Sequence, residues 1–119
     1  MEELRPGTME FRFAELIWER APVPSGELVP LCEKAFGWKK STTYTMLRRL
    51  CERGIFANED GAVTVRQTRE EFLSCQSERY VEESFGGSLP RFLTAFCARK
   101  KLSEKDIEEL RALIDAQRR

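Results

Sequence analysis

The sequence predicts a mainly α-helical chain with one small β-hairpin, divided into a domain over residues 1–68 and a helical region over residues 69–119. Three observations predict this. Apolar residues recur at helical spacing along most of the chain. The one β-prone stretch surrounds an Asp-Gly pair, and it falls after three helical patterns and before three more.

Residues 1–8 read as an irregular, frayed start. From Met9 to Arg20 the residues Phe13, Leu16 and Ile17 form an apolar stripe with Trp18 beside it, and Ala21-Pro22-Val23-Pro24 breaks the pattern. Ser25 is placed to cap a second helix through Phe36, because its hydroxyl can accept from a first-turn N–H. Leu28, Val29, Leu31, Cys32 and Phe36 supply that helix's core face, while Pro30 removes one backbone donor just past the first turn. Gly37 ends it. A third helix, Lys39 to Arg53, carries Thr43, Met46, Leu47 and Leu50 at i, i+3, i+4 and i+7, and Gly54 stops it. Two short β-prone runs, residues 54–58 and 62–65, then flank Glu59-Asp60-Gly61, whose Asp-Gly pair tolerates the positive φ of a tight hairpin turn. Three helices followed at once by a two-stranded wing is the order of a winged helix-turn-helix domain, with the third helix as the element that reads a groove.

Past Thr68 no strand signal remains. Phe72, Cys75, Gln76, Arg79, Tyr80 and Glu83 share one helical face, and Gly86-Gly87 punctuates. Leu89, Phe92, Leu93 and Phe96 repeat on the next helix, and Ser103-Glu104-Lys105-Asp106 caps a last one bearing Ile107, Leu110, Leu113 and Ile114. Short amphipathic helices of this kind do not bury their apolar faces alone and are usually completed by a second copy. The expectation is a C-terminal helical dimerisation region whose seam takes in Phe72, Tyr80, Leu89, Phe92, Leu93, Phe96, Ile107, Leu110, Leu113 and Ile114.

Composition narrows the chemistry. The 119 residues include 20 Lys plus Arg, 20 Asp plus Glu and no histidine, which excludes Ser-His and Cys-His catalysis outright. Glu70-Glu71, Glu82-Glu83 and Glu108-Glu109 are adjacent on predicted helices, so they diverge by roughly 100° and do not face each other across a cleft. Gly86-Gly87 lacks the lysine and flanking pattern of a phosphate loop. Cys32, Cys51, Cys75 and Cys97 contain no C-x-x-C pair and read as free thiols. No enzyme activity, cofactor or metal is expected. No apolar run approaches the roughly 20 residues of a membrane span, and the start Met1-Glu2-Glu3-Leu4-Arg5-Pro6 has no signal-peptide core, so a cytoplasmic chain without membrane insertion is expected.

The even charge balance conceals a cluster. Lys34 to Arg53 holds six cations (Lys34, Lys39, Lys40, Arg48, Arg49, Arg53) against the single anion Glu52. Cations along an exposed helix neutralise phosphates and release counterions, which makes Lys39, Lys40, Arg48, Arg49 and Arg53 candidate phosphate contacts. The alternative is an ordinary solvated helix face. Ser41, Thr42, Tyr44 and Thr45 lie outside the apolar stripe at the front of the same helix and suit base contacts, through hydroxyls and threonine methyls. Capping by Ser41 or Thr42 would account for one of these hydroxyls but not for all four. A second reading is a winged-helix protein–protein adaptor without DNA binding, which the balance of residues 1–68, 10 cations and 10 anions, favours.

Several blocks stand in a definite order: Ala14-Glu15-Leu16-Ile17-Trp18 followed by Ser25-Gly26-Glu27-Leu28-Val29; Trp38 with Thr42-Thr43-Tyr44-Thr45-Met46-Leu47-Arg48-Arg49-Leu50 and Gly54; Gly86-Gly87-Ser88-Leu89; and Leu102-Ser103 with Ile107-Glu108-Glu109-Leu110. In order and spacing they resemble the penicillinase-repressor family, the BlaI/MecI/CopY type of winged-helix transcriptional regulator, over almost the whole chain. The resemblance implies a homodimer that binds a palindromic double-stranded DNA operator and represses transcription. It implies that the third helix enters the major groove, with Ser41, Thr42, Tyr44 and Thr45 toward bases and Arg48, Arg49 and the wing near phosphates. This chain departs from the family in carrying Tyr44 where members often have a cation, and an acidic wing tip, Glu59-Asp60, in place of a basic one. β-Lactam-responsive members are released by a sensor-protease that cuts an Asn-Phe bond. The aligned pair here is Ala95-Phe96, without the asparagine. The cysteine cluster of copper-responsive members is absent from the C-terminal residues Asp115-Ala116-Gln117-Arg118-Arg119.

Overall fold

The computed structural model describes residues 4–119, which form six helices and a small antiparallel sheet. The elements are α1 (Met9–Arg20), β1 (Val23–Pro24), α2 (Ser25–Phe36), α3 (Lys40–Glu52), β2 (Phe56–Glu59), β3 (Ala62–Val65), α4 (Arg69–Phe85), α5 (Leu89–Arg99) and α6 (Glu104–Ala116). This is a winged helix followed by three further helices. One compact unit reaches to Cys75 and a second runs from Gln76 to Arg119, so α4 begins in the first and ends in the second. No helix among the described residues is long and apolar enough to cross a membrane.

The first unit is organised around one core. Phe13, Ile17, Leu28, Cys32, Thr43, Leu50, Phe56 and Val63 are almost wholly removed from solvent there, each drawn from the inward face of α1, α2, α3 or the wing. Trp18 stands at its edge, with ring contacts to Phe11, Phe56 and Phe72, and its indole N–H donates to the Gln67 carbonyl at 2.9 Å. Trp38 does the same work at the other end. Its ring lies 5.3 Å from Phe13 and 4.9 Å from Phe36, bracketing Gly37, whose left-handed backbone (φ 70°) turns the chain from α2 into α3.

Several expectations need correction. Of residues 1–8, expected to fray, the first three lie outside the described residues. The rest are tied down, because Leu4 is buried in the core and the Thr8 hydroxyl caps α1 by accepting from the Phe11 N–H at 3.1 Å. Ser25 does not cap α2. Pro24 takes the cap position without a side-chain bond, Ser25 is the first helical residue, and its N–H donates to the Gly61 carbonyl at 2.7 Å. The wing has three strands, in the order β1-β3-β2, because Val23 and Pro24 of the expected breaker pair with Val63 and Ala62. Phe72, expected in the dimer seam, instead packs on Phe11 and Trp18 within the first unit.

The wing turn follows the Asp-Gly expectation. Glu59 faces Ala62 across the ladder, leaving a loop of Asp60 (φ 52°) and Gly61 (φ 83°), the two positive φ values that a type I′ turn requires. The start of α4 carries a reciprocal capping box: the Thr68 N–H donates to Glu71 Oε1, and the Glu71 N–H donates to Thr68 Oγ1, both at 3.1 Å.

The second unit differs in kind. Tyr80, Phe85 and Phe92 meet edge to face with centroids 5.6–6.1 Å apart. Ser88 caps α5 and Ser103 caps α6, accepting from the Arg91 and Asp106 N–H groups. Yet no described residue of α4, α5 or α6 is buried, and Tyr80, Leu89, Phe96, Leu113 and Ile114 are about half exposed, at 52, 55, 45, 57 and 53 %. A groove of about 380 Å³ runs between α5 and α6, lined by the apolar Phe92, Leu93, Phe96, Leu102, Leu110 and Leu113 and by the acidic Asp106 and Glu109.

Two outcomes are expected from this packing. An added Cβ meets nothing within 4 Å at either Gly61 or Gly26, so alanine there tests backbone conformation alone. Gly61→Ala should destabilise by about 1 kcal/mol. Gly26→Ala, in helical backbone, should stabilise by up to about 1 kcal/mol, so equal shifts in denaturation midpoint would refute the turn assignment. Bonding to the Thr68 N–H and hydroxyl holds the Glu71 carboxyl below its ordinary value of 4.5. Its contribution is therefore complete above pH 4.5 and is lost as pH falls through the depressed value. Glu71→Gln, which still accepts, should flatten that part of the acid-unfolding profile, and an unchanged profile would remove the box from it.

Candidate nucleic-acid interface

The rotation of α3 about its own axis decides what it can touch. Thr43, Leu47 and Leu50 are buried, and the Thr43 hydroxyl donates to the Lys39 carbonyl at 3.2 Å, so this stripe fixes the helix against the core. At roughly 100° per residue, Ser41, Thr42, Thr45, Arg48 and Arg49 then span an arc of about 120° centred on Thr45. All five are exposed. Half-buried Tyr44 and Met46 flank this arc, and both pack against the core.

The hydroxyls on the arc are uncommitted. Threonine in a helix commonly bonds the preceding turn's carbonyl, as Thr43 does to Lys39 and Thr94 does to Pro90. The hydroxyls of Ser41, Thr42 and Thr45 make no hydrogen bond among the described residues. They do not cap α3 either, because Lys39 occupies the cap position and no side chain bonds the first-turn N–H groups. That removes capping as an explanation for Ser41 and Thr42. It also leaves the helix N-terminus with free donors, no acid in its first turn and Lys39 and Lys40 beside it, a setting that favours an anion.

The cations separate by place. Lys39 and Lys40 stand exposed at the α3 N-terminus, and Arg48 lies exposed two turns along, none with an ion pair among the described residues. Arg49 is exposed beside it with its guanidinium 3.8 Å from Met46 Sδ. Arg53 is half-buried at the α3 C-cap, roughly 20 Å along the axis from Lys40 and one turn beyond Arg49. The wing tip is acidic and exposed, with Glu59 4.0 Å from Arg66.

Trp38 is a residue that periodicity did not single out. By packing on Phe13 and Phe36 it sets the point from which α3 departs. Its signal was present in Phe36-Gly37-Trp38, an apolar pair straddling a helix-ending glycine.

The expected seam residues other than Phe72 lie in or near the second unit's exposed apolar surface: Tyr80, Leu89, Phe92, Leu93, Phe96, Ile107, Leu110, Leu113 and Ile114. Ala95 and Phe96 are consecutive exposed residues inside α5. The four cysteines are free thiols, and burial pushes those of Cys32 and Cys51 up, away from reactive thiolates. No cluster of three or more metal-ligating side chains occurs among the described residues.

The profile of the penicillinase-repressor family matches residues 6–116. No curated protein matched the chain. A winged helix whose third helix turns free hydroxyls and cations outward, matched along nearly its whole length, places the chain in the penicillinase-repressor family, whose members are DNA-binding transcriptional repressors.

Proposed function

We propose that the chain is a homodimeric repressor that binds a palindromic operator, with Ser41, Thr42 and Thr45 toward base edges, Tyr44 at the margin of that face with its ring against the core, and Lys39, Lys40, Arg48 and Arg49 toward phosphates. The observation that carries this reading is the exposed arc of α3, where uncommitted hydroxyls stand among cations and no acid lies in the first turn. Arg53, one turn beyond Arg49, continues the phosphate-facing cations at the end of the helix. Glu59 and Asp60 put negative charge at the wing tip, so affinity is concentrated in α3 rather than shared with the wing.

The second unit supports the dimer. Leu89, Phe96, Leu113 and Ile114 are apolar and about half exposed, and the groove beside them is the surface a second copy would cover. Two reading helices held by one seam impose the two-fold symmetry of a palindrome. A sensor-protease that cut between Ala95 and Phe96 would split α5 in the middle of that seam, after local opening of the helix.

Binding of the purified protein to its own upstream promoter fragment and to a scrambled control, followed by fluorescence anisotropy across a salt series, tests the reading. Preference for the promoter by about two decades or more, weakening steeply with salt, is expected. Arg48→Ala and Arg49→Ala should weaken binding to both fragments and reduce the salt slope by about one per lost contact, and an unchanged slope would remove them from the footprint. Binding to neither fragment would favour the adaptor reading, which the even charge of residues 1–68 supports. In sedimentation at micromolar concentration the wild type should run as a dimer, and Phe96→Asp with Leu113→Glu should run as a monomer. A monomeric wild type would overturn the seam.

A further inference from the structure

We infer that the operator half-site is read mainly through thymine methyl groups, by the methyls of Thr42 and Thr45. The inference rests on the proposed DNA reading and specifies what α3 recognises.

The front of the exposed arc, Ser41, Thr42 and Thr45, contains no Asn, Gln, Asp or Glu, the side chains that pair with adenine or cytosine edges, and Arg48, Arg49 and Glu52 lie in its second half. What faces outward at the front is Ser41, Thr42 and Thr45. A hydroxyl can donate or accept, so it bonds to several base edges without strongly preferring one. A methyl group has no such ambiguity in the major groove, where thymine alone presents a methyl partner. The apolar groups nearby are otherwise engaged: Tyr44 and Met46 pack against the core, and the Met46 sulfur lies against Arg49. The threonine methyls are thus the discriminating groups left on this face. Thr42 and Thr45 are separated by about 4.5 Å along the helix axis, near the 3.4 Å spacing of base pairs, so they suit thymines on neighbouring steps.

The test selects binding sites from a randomised DNA duplex library made with thymine and, in parallel, from the same library made with uracil, which differs only by the missing methyl. The thymine library should yield a two-fold symmetric consensus with fixed thymines, and the uracil library should lose the preference at those positions. In the selected duplex, replacing one such thymine by uracil should weaken binding about fourfold, the effect of taking one apolar carbon out of a dry contact. Thr42→Ser and Thr45→Ser keep the hydroxyl and delete the methyl. Each should abolish the uracil penalty at its own position while leaving the circular-dichroism spectrum unchanged. A consensus recovered equally from both libraries, or uracil penalties that persist in both serine variants, would overturn the inference and leave the repressor reading standing. No consensus from the thymine library would overturn both.

Discussion

Burial of one narrow stripe, Thr43, Leu47 and Leu50, fixes the orientation of α3, and the candidate DNA-facing surface depends on that constraint. The stripe is continuous with a core supplied by α1, α2 and the wing, so α3 cannot rotate without exposing apolar side chains or burying Arg48 and Arg49. Either change opposes both the hydrophobic gain and the cost of desolvating a guanidinium. The buried Thr43 hydroxyl donates to the Lys39 carbonyl within α3 and also bonds with the Cys32 thiol of α2, so this polar residue is satisfied inside the core. Trp38 adds the second constraint by anchoring the turn that feeds α3. Rotation and point of departure together determine that Ser41, Thr42, Thr45, Arg48 and Arg49 face outward.

The two units divide the physical work. The first has a dry core, with Phe13, Ile17, Leu28 and Leu50 wholly enclosed. The second has correctly capped helices and edge-to-face aromatic contacts but no enclosed residue. Local hydrogen bonding there is complete enough to define the helices, whereas burial is not complete enough to hold them strongly. In the proposed dimer, association with a second copy is both a source of stability and the device that presents two α3 helices together. The wing tip carries Glu59 and Asp60 and so offers no cation to a phosphate, which is why the proposed reading places recognition in α3.

Much of the fold was legible in the sequence because it is set by short-range patterns. The stripe through Phe13 and Ile17, the i, i+3, i+4, i+7 run through Leu47, and the Asp60-Gly61 turn all act within a few residues. What escaped depends on distant partners. Val23 and Pro24 form a strand only because Val63 and Ala62 pair with them, and nothing in the run Ala21 to Pro24 announces that edge. Ser25 has the residue type of a cap, but Pro24 before it has the extended backbone that the position needs, and the Ser25 N–H donates to the Gly61 carbonyl. Phe72 has the same spacing as the apolar residues that follow it, and only the nearness of Phe11 and Trp18 assigns it to the first unit. The arc of α3 was legible as residue types and charge. That its hydroxyls are uncommitted was not, since a threonine at the start of a helix can as readily bond the backbone.

Amide chemical-shift mapping of the isotope-labelled full chain, titrated with a DNA duplex selected by the protein, asks most directly whether α3 is the surface that meets DNA. The orientation of α3 requires the largest changes over Lys39 to Arg49, with little change at the acidic turn of Asp60 and Gly61. Changes confined to the wing tip or to α1, with residues 39–49 silent, would contradict it.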